Sequence, residues 1–222
     1  ILSSVYHDNA EEQEQIAEEI SKIYMDYNCV DKAKAWLEKC GTEESDSKKE
    51  LQARILLVEG ETEKSQEILN ELIDNNPYQS DYWNLLAKTQ LIKTDIEDSI
   101  ISSEYSLAIN PNDEDALLNK GNALFHLGNY DEAIKHFQHF TELRPDEETG
   151  EMMVGLSLLA QDKLQEAVEH LKKAEEKITI DSDYTTEIYN ELTMILCRLE
   201  RYDEALKYIE KSEQADCNHL EL

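Results

Sequence analysis

The chain has little glycine and little proline, 6 and 3 residues in 222. No window is dominated by a few residue types, which argues against long disordered or fibrous stretches. Valine is also scarce. Ala, Glu, Leu, Lys and Gln dominate, which favours an all-helical chain. No apolar run approaches the roughly 20 residues of a membrane span. Positive charge is in short supply: 21 Lys and Arg stand against 50 Asp and Glu, a net charge of −29. Nucleic-acid binding rests on neutralising phosphates, so this field works against it, and anionic membranes are disfavoured for the same reason. The acidity either serves solubility or matches a basic partner.

The four cysteines, Cys29, Cys40, Cys197 and Cys217, include no CxxC pair. A reduced, cytoplasmic setting is expected, with Cys40 and Cys197 on helical apolar positions. The chain begins at Ile1 rather than Met, so an already removed signal peptide, or a longer parent chain, stays open. There is no Gly-rich phosphate loop, nucleophile elbow or HExxH. His136 and His139 lie three apart without a Cys or acid at ligand spacing, and many carboxylate pairs carry no information in so acidic a chain. No catalytic residue, cofactor or metal site is expected, and the chain is read as not an enzyme.

What is present is a repeat. Pro77, Pro111 and Pro145 are spaced 34 residues apart. The segment from Glu114 to Pro145 explains the spacing. Leu117, Gly121, Leu124 and Phe125 recur at helical intervals, and Gly128-Asn129 breaks the helix. Tyr130 to Ala133 opens a second helix with Ala133, Phe137 and Phe140 on one face, and Pro145 follows its end. Two columns of small residues run through the chain in phase. One is Ser21, Ala53, Ala87, Gly121, Gly155, Thr193; the other is Ala33, Ser65, Ser99, Ala133, Ala167, Ala205. Small residues let paired helices approach closely. The bulky column four residues later, Leu37, Leu69, Phe137, Leu171 and Ile209 with Ser103 as the exception, fills the space beside them. The successive spacings are 32, 34, 34, 34 and 38 residues.

These residues resemble the tetratricopeptide repeat (TPR) family. Its pattern of Trp, Leu-Gly, Tyr, Ala, Phe and Pro is matched by Trp83, Leu86 and Ala87, and by Gly121, Tyr130, Ala133, Phe137 and Pro145. It is matched again by Val154, Gly155 and Ala167, and by Leu192, Tyr202 and Ala205. The resemblance covers about residues 11–214 and implies an all-α, right-handed α-α superhelix, a solenoid of about six helix-turn-helix repeats. The repeats are expected at about 14–45, 46–79, 80–113, 114–147, 148–185 and 186–214. Residues 1–10 would be the end of a preceding helix or an N-terminal cap, and 215–222 a tail. Three departures are expected to matter. Cys40-Gly41 replaces the first proline and changes that exit turn. Ser99, Ser103, Ser106 and Gln90 should make the third repeat the least tightly packed. Four extra residues between Ile178 and Thr186 should lengthen a helix or loop.

The resemblance also implies a concave groove lined by the first helix of each repeat, in which such proteins bind extended peptides or helices. One inward column runs Lys22, Arg54, Lys88, Asn122, Leu156, Met194. The column one turn earlier contains Asn84, Leu118 and Met152, and a third, apolar column contains Phe125. The groove is thus expected to be basic at one end and apolar, rich in Leu and Met, at the other. Glu18–Lys22 and Glu50–Arg54 also read as ordinary i,i+4 ion pairs. The clamp by which chaperone-tail receptors hold a carboxylate is absent. Asn84 stands where Lys is needed and Lys88 where Asn is needed, Asn119 matches, and Thr149 and Met153 replace a Lys and an Arg. The expected function is a non-catalytic protein-interaction scaffold or adaptor for a protein or peptide partner, without nucleic acid or membrane. The alternatives are a self-associating module, a homo-oligomer formed through an uncapped edge at Leu206 and Ile209, and a regulatory region of a longer multidomain protein.

Overall fold

The computed structural model describes residues 10–40, 45–179, 182 and 184–219, with the side chains of 10–12 and 216–219 left aside. The expectations for residues 1–9 and for the last residues of the tail lie outside this set. Among the described residues there are twelve α-helices and no strand. Packing divides the chain into two units, Ile1–Pro111 and Asn112–Leu222, each made of three helical hairpins. The first holds α1 (Ala10–Asp26), α2 (Val30–Leu37), α3 (Asp46–Val58), α4 (Thr62–Asn75), α5 (Ser80–Ile92) and α6 (Ile96–Ile109). The second holds α7 (Glu114–His126), α8 (Tyr130–Leu143), α9 (Glu148–Ala160), α10 (Leu164–Glu175), α11 (Thr185–Arg198) and α12 (Tyr202–His219).

Each odd-numbered helix ends in the same way. One residue takes a left-handed conformation: Asn28, Gly60, Thr94, Gly128, Asp162 and Glu200, with φ between 54° and 81°. The next amide then reaches back to a carbonyl five residues earlier, as in Asp95 N–H to Gln90 O at 2.9 Å, Asn129 N–H to Leu124 O at 2.9 Å and Arg201 N–H to Leu196 O at 2.9 Å. This closes the orphan carbonyls of the helix end. Only two of the six positions are glycine, so the sequence signal of Gly128-Asn129 marks a feature that the other hairpins share without advertising it.

The small-residue columns sit where the two helices of a hairpin touch. In the first unit each contact carries a hydroxyl. Ser21 Oγ donates to Ala33 O, Ser65 Oγ to Ala53 O and Ser99 Oγ to Ala87 O, all at 2.8 Å and all buried. In the first two hairpins of the second unit the contact is made by removing atoms. A Cβ on Gly121 would lie 2.4 Å from the Phe137 ring, and one on Gly155 would lie 2.8 Å from Leu171 Cγ. Phe137 and Leu171 are both fully buried.

The serines of α6 do not leave a loose interior. Ser99, Ser103 and Ser106 are fully buried, Ser103 Oγ donates to Ser99 O at 2.8 Å, and Ser102 Oγ donates to Gln90 Oε1 at 2.7 Å. Small hydroxyls that satisfy one another and the backbone fill this contact in place of large apolar groups. The departures at the other sites also take definite forms. α2 stops after 8 residues where α4 has 14, and the exit turn expected from Cys40-Gly41 runs into residues 41–44, outside the described set. Beside it lies a cavity of ≈ 400 Å³ lined by Leu37, Cys40, Lys48, Ile55 and the ion pair Lys34–Glu59 (2.6 Å). The extra residues after α10 go into the loop rather than a longer helix, since α10 ends at Glu175. Ser182 pins that loop by donating to Glu148 Oε1 at 2.5 Å.

Candidate functional site

The predicted binding residues all lie on the odd-numbered helices, and each unit presents its own set. In the first unit the basic column is largely paired within the chain. Lys22 meets Glu18 at 3.4 Å and Glu19 at 3.0 Å, and Arg54 meets Glu50 at 2.7 Å. Burial opposes the Lys22 charge, but the carboxylates of Glu19 and Glu18 outweigh it and hold the ammonium above its ordinary pKa. Lys88 is exposed and has no ion pair among the described residues. Asn84, expected on the open face, is buried at 6 % exposure. Lys88 thus differs from the other two cations of this column, which already have carboxylates beside them.

In the second unit, Leu118, Asn122, Phe125 and Leu156 are half-buried and Met194 is 44 % exposed. The Phe125 ring meets Tyr130 edge-on at 5.4 Å. Met152 departs from the expected pattern: at 2 % exposure it belongs to the interior, so it offers no surface to a partner. At the far end of this unit, Leu206 and Ile209 are 58 % and 40 % exposed. Their counterparts one hairpin earlier, Val168 and Leu171, are 3 % and 0 % exposed. Tyr208 between them is buried, and its hydroxyl donates to Glu175 Oε2 at 2.8 Å.

One polar group on α11 escaped the sequence reading. Glu187, Glu191 and Met194 follow at i, i+4 and i+7, so they share a stripe. Oε2 of Glu191 is buried without a hydrogen-bond partner among the described residues. Burial, and then the like charge of Glu187, push this carboxyl above its usual pKa. Nothing in an acidic sequence distinguishes such a glutamate from its many exposed neighbours. Among the described residues no three His, Cys, Asp or Glu side chains gather where they could hold a metal ion, and no helix is long and apolar enough to cross a membrane. Cys40 is buried, which raises its thiol pKa, whereas Cys197 is exposed.

Tetratricopeptide repeat family models match residues 113–176 and 185–212. The DnaJ homolog subfamily C member 7 homolog of Schizosaccharomyces pombe is 26 % identical, the match covering 68 % of this chain and 35 % of that protein. The chain thus spans about a third of the length of that relative. Among solved structures, a thermophilic TPR protein of Thermus thermophilus superposes with a TM-score of 0.72 at 18 % identity, covering 81 % of this chain and 98 % of its own. The pilF protein of Pseudomonas aeruginosa gives 0.74 at 11 % identity, covering 95 % and 100 %. MamA of Desulfovibrio magneticus gives 0.69 at 15 % identity, covering 80 % and 98 %. Hairpins in phase, close helix contacts at the small-residue columns and these matches lead to one statement: residues 113–176 and 185–212 are tetratricopeptide repeats, and the described helices share the fold of tetratricopeptide repeat solenoids.

Proposed function

We propose that the chain is a non-catalytic scaffold that holds a peptide segment or helix of a protein partner against the first helices of its hairpins. Tetratricopeptide repeats are in general protein-interaction scaffolds without chemistry of their own, which supports the reading. The observation that carries it is the face of the second unit. There Leu118, Leu156 and Met194 stay partly uncovered, and Glu191, one turn before Met194 on α11, has a buried carboxylate oxygen without a partner among the described residues. An apolar segment would cover the first three, and a donor on it would meet Glu191. Burying such a donor beside an orphan acceptor removes a cost that the free protein carries.

The test is Leu156→Glu combined with Met194→Glu in a partner pull-down, with the helical circular dichroism signal as the control for folding. Loss of capture with helix content intact is the expected result. Unchanged capture would remove this face from the reading. A second reading is favoured by the exposed pair Leu206 and Ile209, which stand where the preceding hairpin has buried side chains: self-association through α12. Light scattering across a concentration series, repeated with Leu206→Asp and Ile209→Asp, decides that case. The match to only part of a longer relative also fits a regulatory region within a multidomain protein.

A further inference from the structure

The helix α6 places its residue classes the opposite way round from its neighbours. Its buried positions are serines: Ser99, Ser102, Ser103 and Ser106. Its large apolar residues Ile101, Tyr105 and Ile109 are 50 %, 53 % and 37 % exposed. They follow at i, i+4 and i+8 and so form one stripe. Tyr105 stacks on the half-buried Trp83 of α5, with centroids 4.5 Å apart and planes at 22°, which widens the stripe into a patch.

The other hairpins supply an internal control. At the position of Ile101, the helices α4, α8, α10 and α12 carry Glu67, Lys135, Glu169 and Lys207. At the position of Tyr105, α4, α10 and α12 carry Glu71, Lys173 and Lys211. At these positions α2 has Ala35 and Lys39 and α8 has His139 in the second, so only α6 carries large apolar residues at both. About half of the Ile101 and Tyr105 surface stays open to water, and a contiguous apolar patch of this kind on a charged helix face is suited to a partner. The charge around the patch says of what kind. α6 holds Glu97, Asp98 and Glu104 and no Lys or Arg. A second copy would bring the same acids, within a chain of net charge −29, against their own kind.

We propose that the exposed face of α6 docks an amphipathic helix of another protein, with apolar anchors over Ile101, Tyr105 and Trp83 and Lys or Arg residues beside the exposed Glu97 and Asp98. The site is built on α6 and Trp83 of α5 in the first unit, whereas the residues that carry the scaffold reading are on α7, α9 and α11, so the two stand or fall separately. Anchors of this kind, set in a patch with a charged margin, are where binding energy concentrates.

The probe is a labelled synthetic helix of about 18 residues with Leu on one side and Lys on the other, measured by fluorescence anisotropy at about 0.15 M salt. Two control peptides replace Leu by Ser or Lys by Glu. The Leu/Lys peptide is expected to bind and both controls to fail. Ile101→Ser with Tyr105→Ser, which leaves the charge unchanged, should weaken binding by about tenfold or more. Hydrogen exchange on the unaltered chain gives an answer that does not depend on the variant folding: bound peptide slows exchange in α6. Binding by the Lys/Ser or Leu/Glu peptide at equal strength would overturn the proposal. So would a double variant within about twofold of the parent, or protection confined to other helices. A self-associated species that the double variant dissolves would also overturn it, by making the occupant a second copy.

Discussion

Where the two helices of a hairpin come closest, the first unit sets a serine against an alanine and the second, in its first two hairpins, sets a glycine against an alanine. The serine version holds the helices with a directional bond, 2.8 Å long in each of three hairpins. Such a bond contributes on the order of 1 kcal/mol net. The glycine version has no bond to lose, and depends on Phe137 and Leu171 lying where a methyl group would otherwise be. The same column thus serves as a hydrogen-bond register in one unit and as a socket for a large side chain in the other. The lesson is that a small-residue position in a repeat states how near two helices come, and not what holds them there.

The comparison can be broken most forcefully at its bulky member. Phe137→Ala should destabilise the second unit by about 3–5 kcal/mol. Ser103→Ala at the matching position of α6 should cost only about 1 kcal/mol, since the hydroxyl bonds only its own helix. Denaturant unfolding followed by hydrogen exchange in each unit measures both. If the two substitutions cost the same, the socket account is wrong.

The turns offer a milder contrast. Thr94, a β-branched residue, is held at φ 66°, while Gly128 takes 77° in the equivalent turn. Thr94→Gly should therefore stabilise the chain by about 1 kcal/mol, and Gly128→Thr should destabilise it by a similar amount. Melting temperatures that shift in the same direction for both would show that the turns are not equivalent.

The smallest effect concerns acid. Glu204 accepts hydrogen bonds from Arg201 and Lys172, which lower its pKa to about 2. A carboxyl lowered on folding contributes stability above its unfolded pKa, and that contribution is lost as pH falls through the folded value. Glu191 behaves in the opposite sense, because its pKa is raised. Its ionisation lowers stability as pH rises from the ordinary carboxyl range to the raised folded value. Glu204→Gln should thus flatten the acid limb between about pH 4.5 and about pH 2, whereas Glu191→Gln should remove a loss on the neutral side. A pH series of urea midpoints in which both variants change the profile in the same sense would refute the assignment.

Much of this architecture was legible in the residues. The 34-residue phase, the small columns and the prolines just past α4, α6 and α8 follow from spacing alone. The turn column was hidden at Asn28, Thr94, Asp162 and Glu200, because the same local helix-end bonds close these turns and no glycine announces them. The binding face was read less well. Periodicity gives the direction in which Asn84 and Met152 point, but it does not give the width of the strip that neighbouring helices cover, and both fall inside that strip. The serines of α6 misled for a related reason: hydroxyls spaced to reach carbonyls and one another pack as an interior, which a scale of apolarity does not register.

The six reversals also bear on the order of events when the chain folds. Gly60 and Gly128 turn the chain without steric penalty, and there is one in each unit, whereas the left-handed backbone at Thr94 and Glu200 carries a steric cost. The hairpins α3–α4 and α7–α8 are thus the natural nuclei, and each unit grows outward from its own seed. Pulse-labelled amides in these two hairpins should be the earliest to gain protection; a first appearance at α5–α6 or α11–α12 would contradict that sequence of steps.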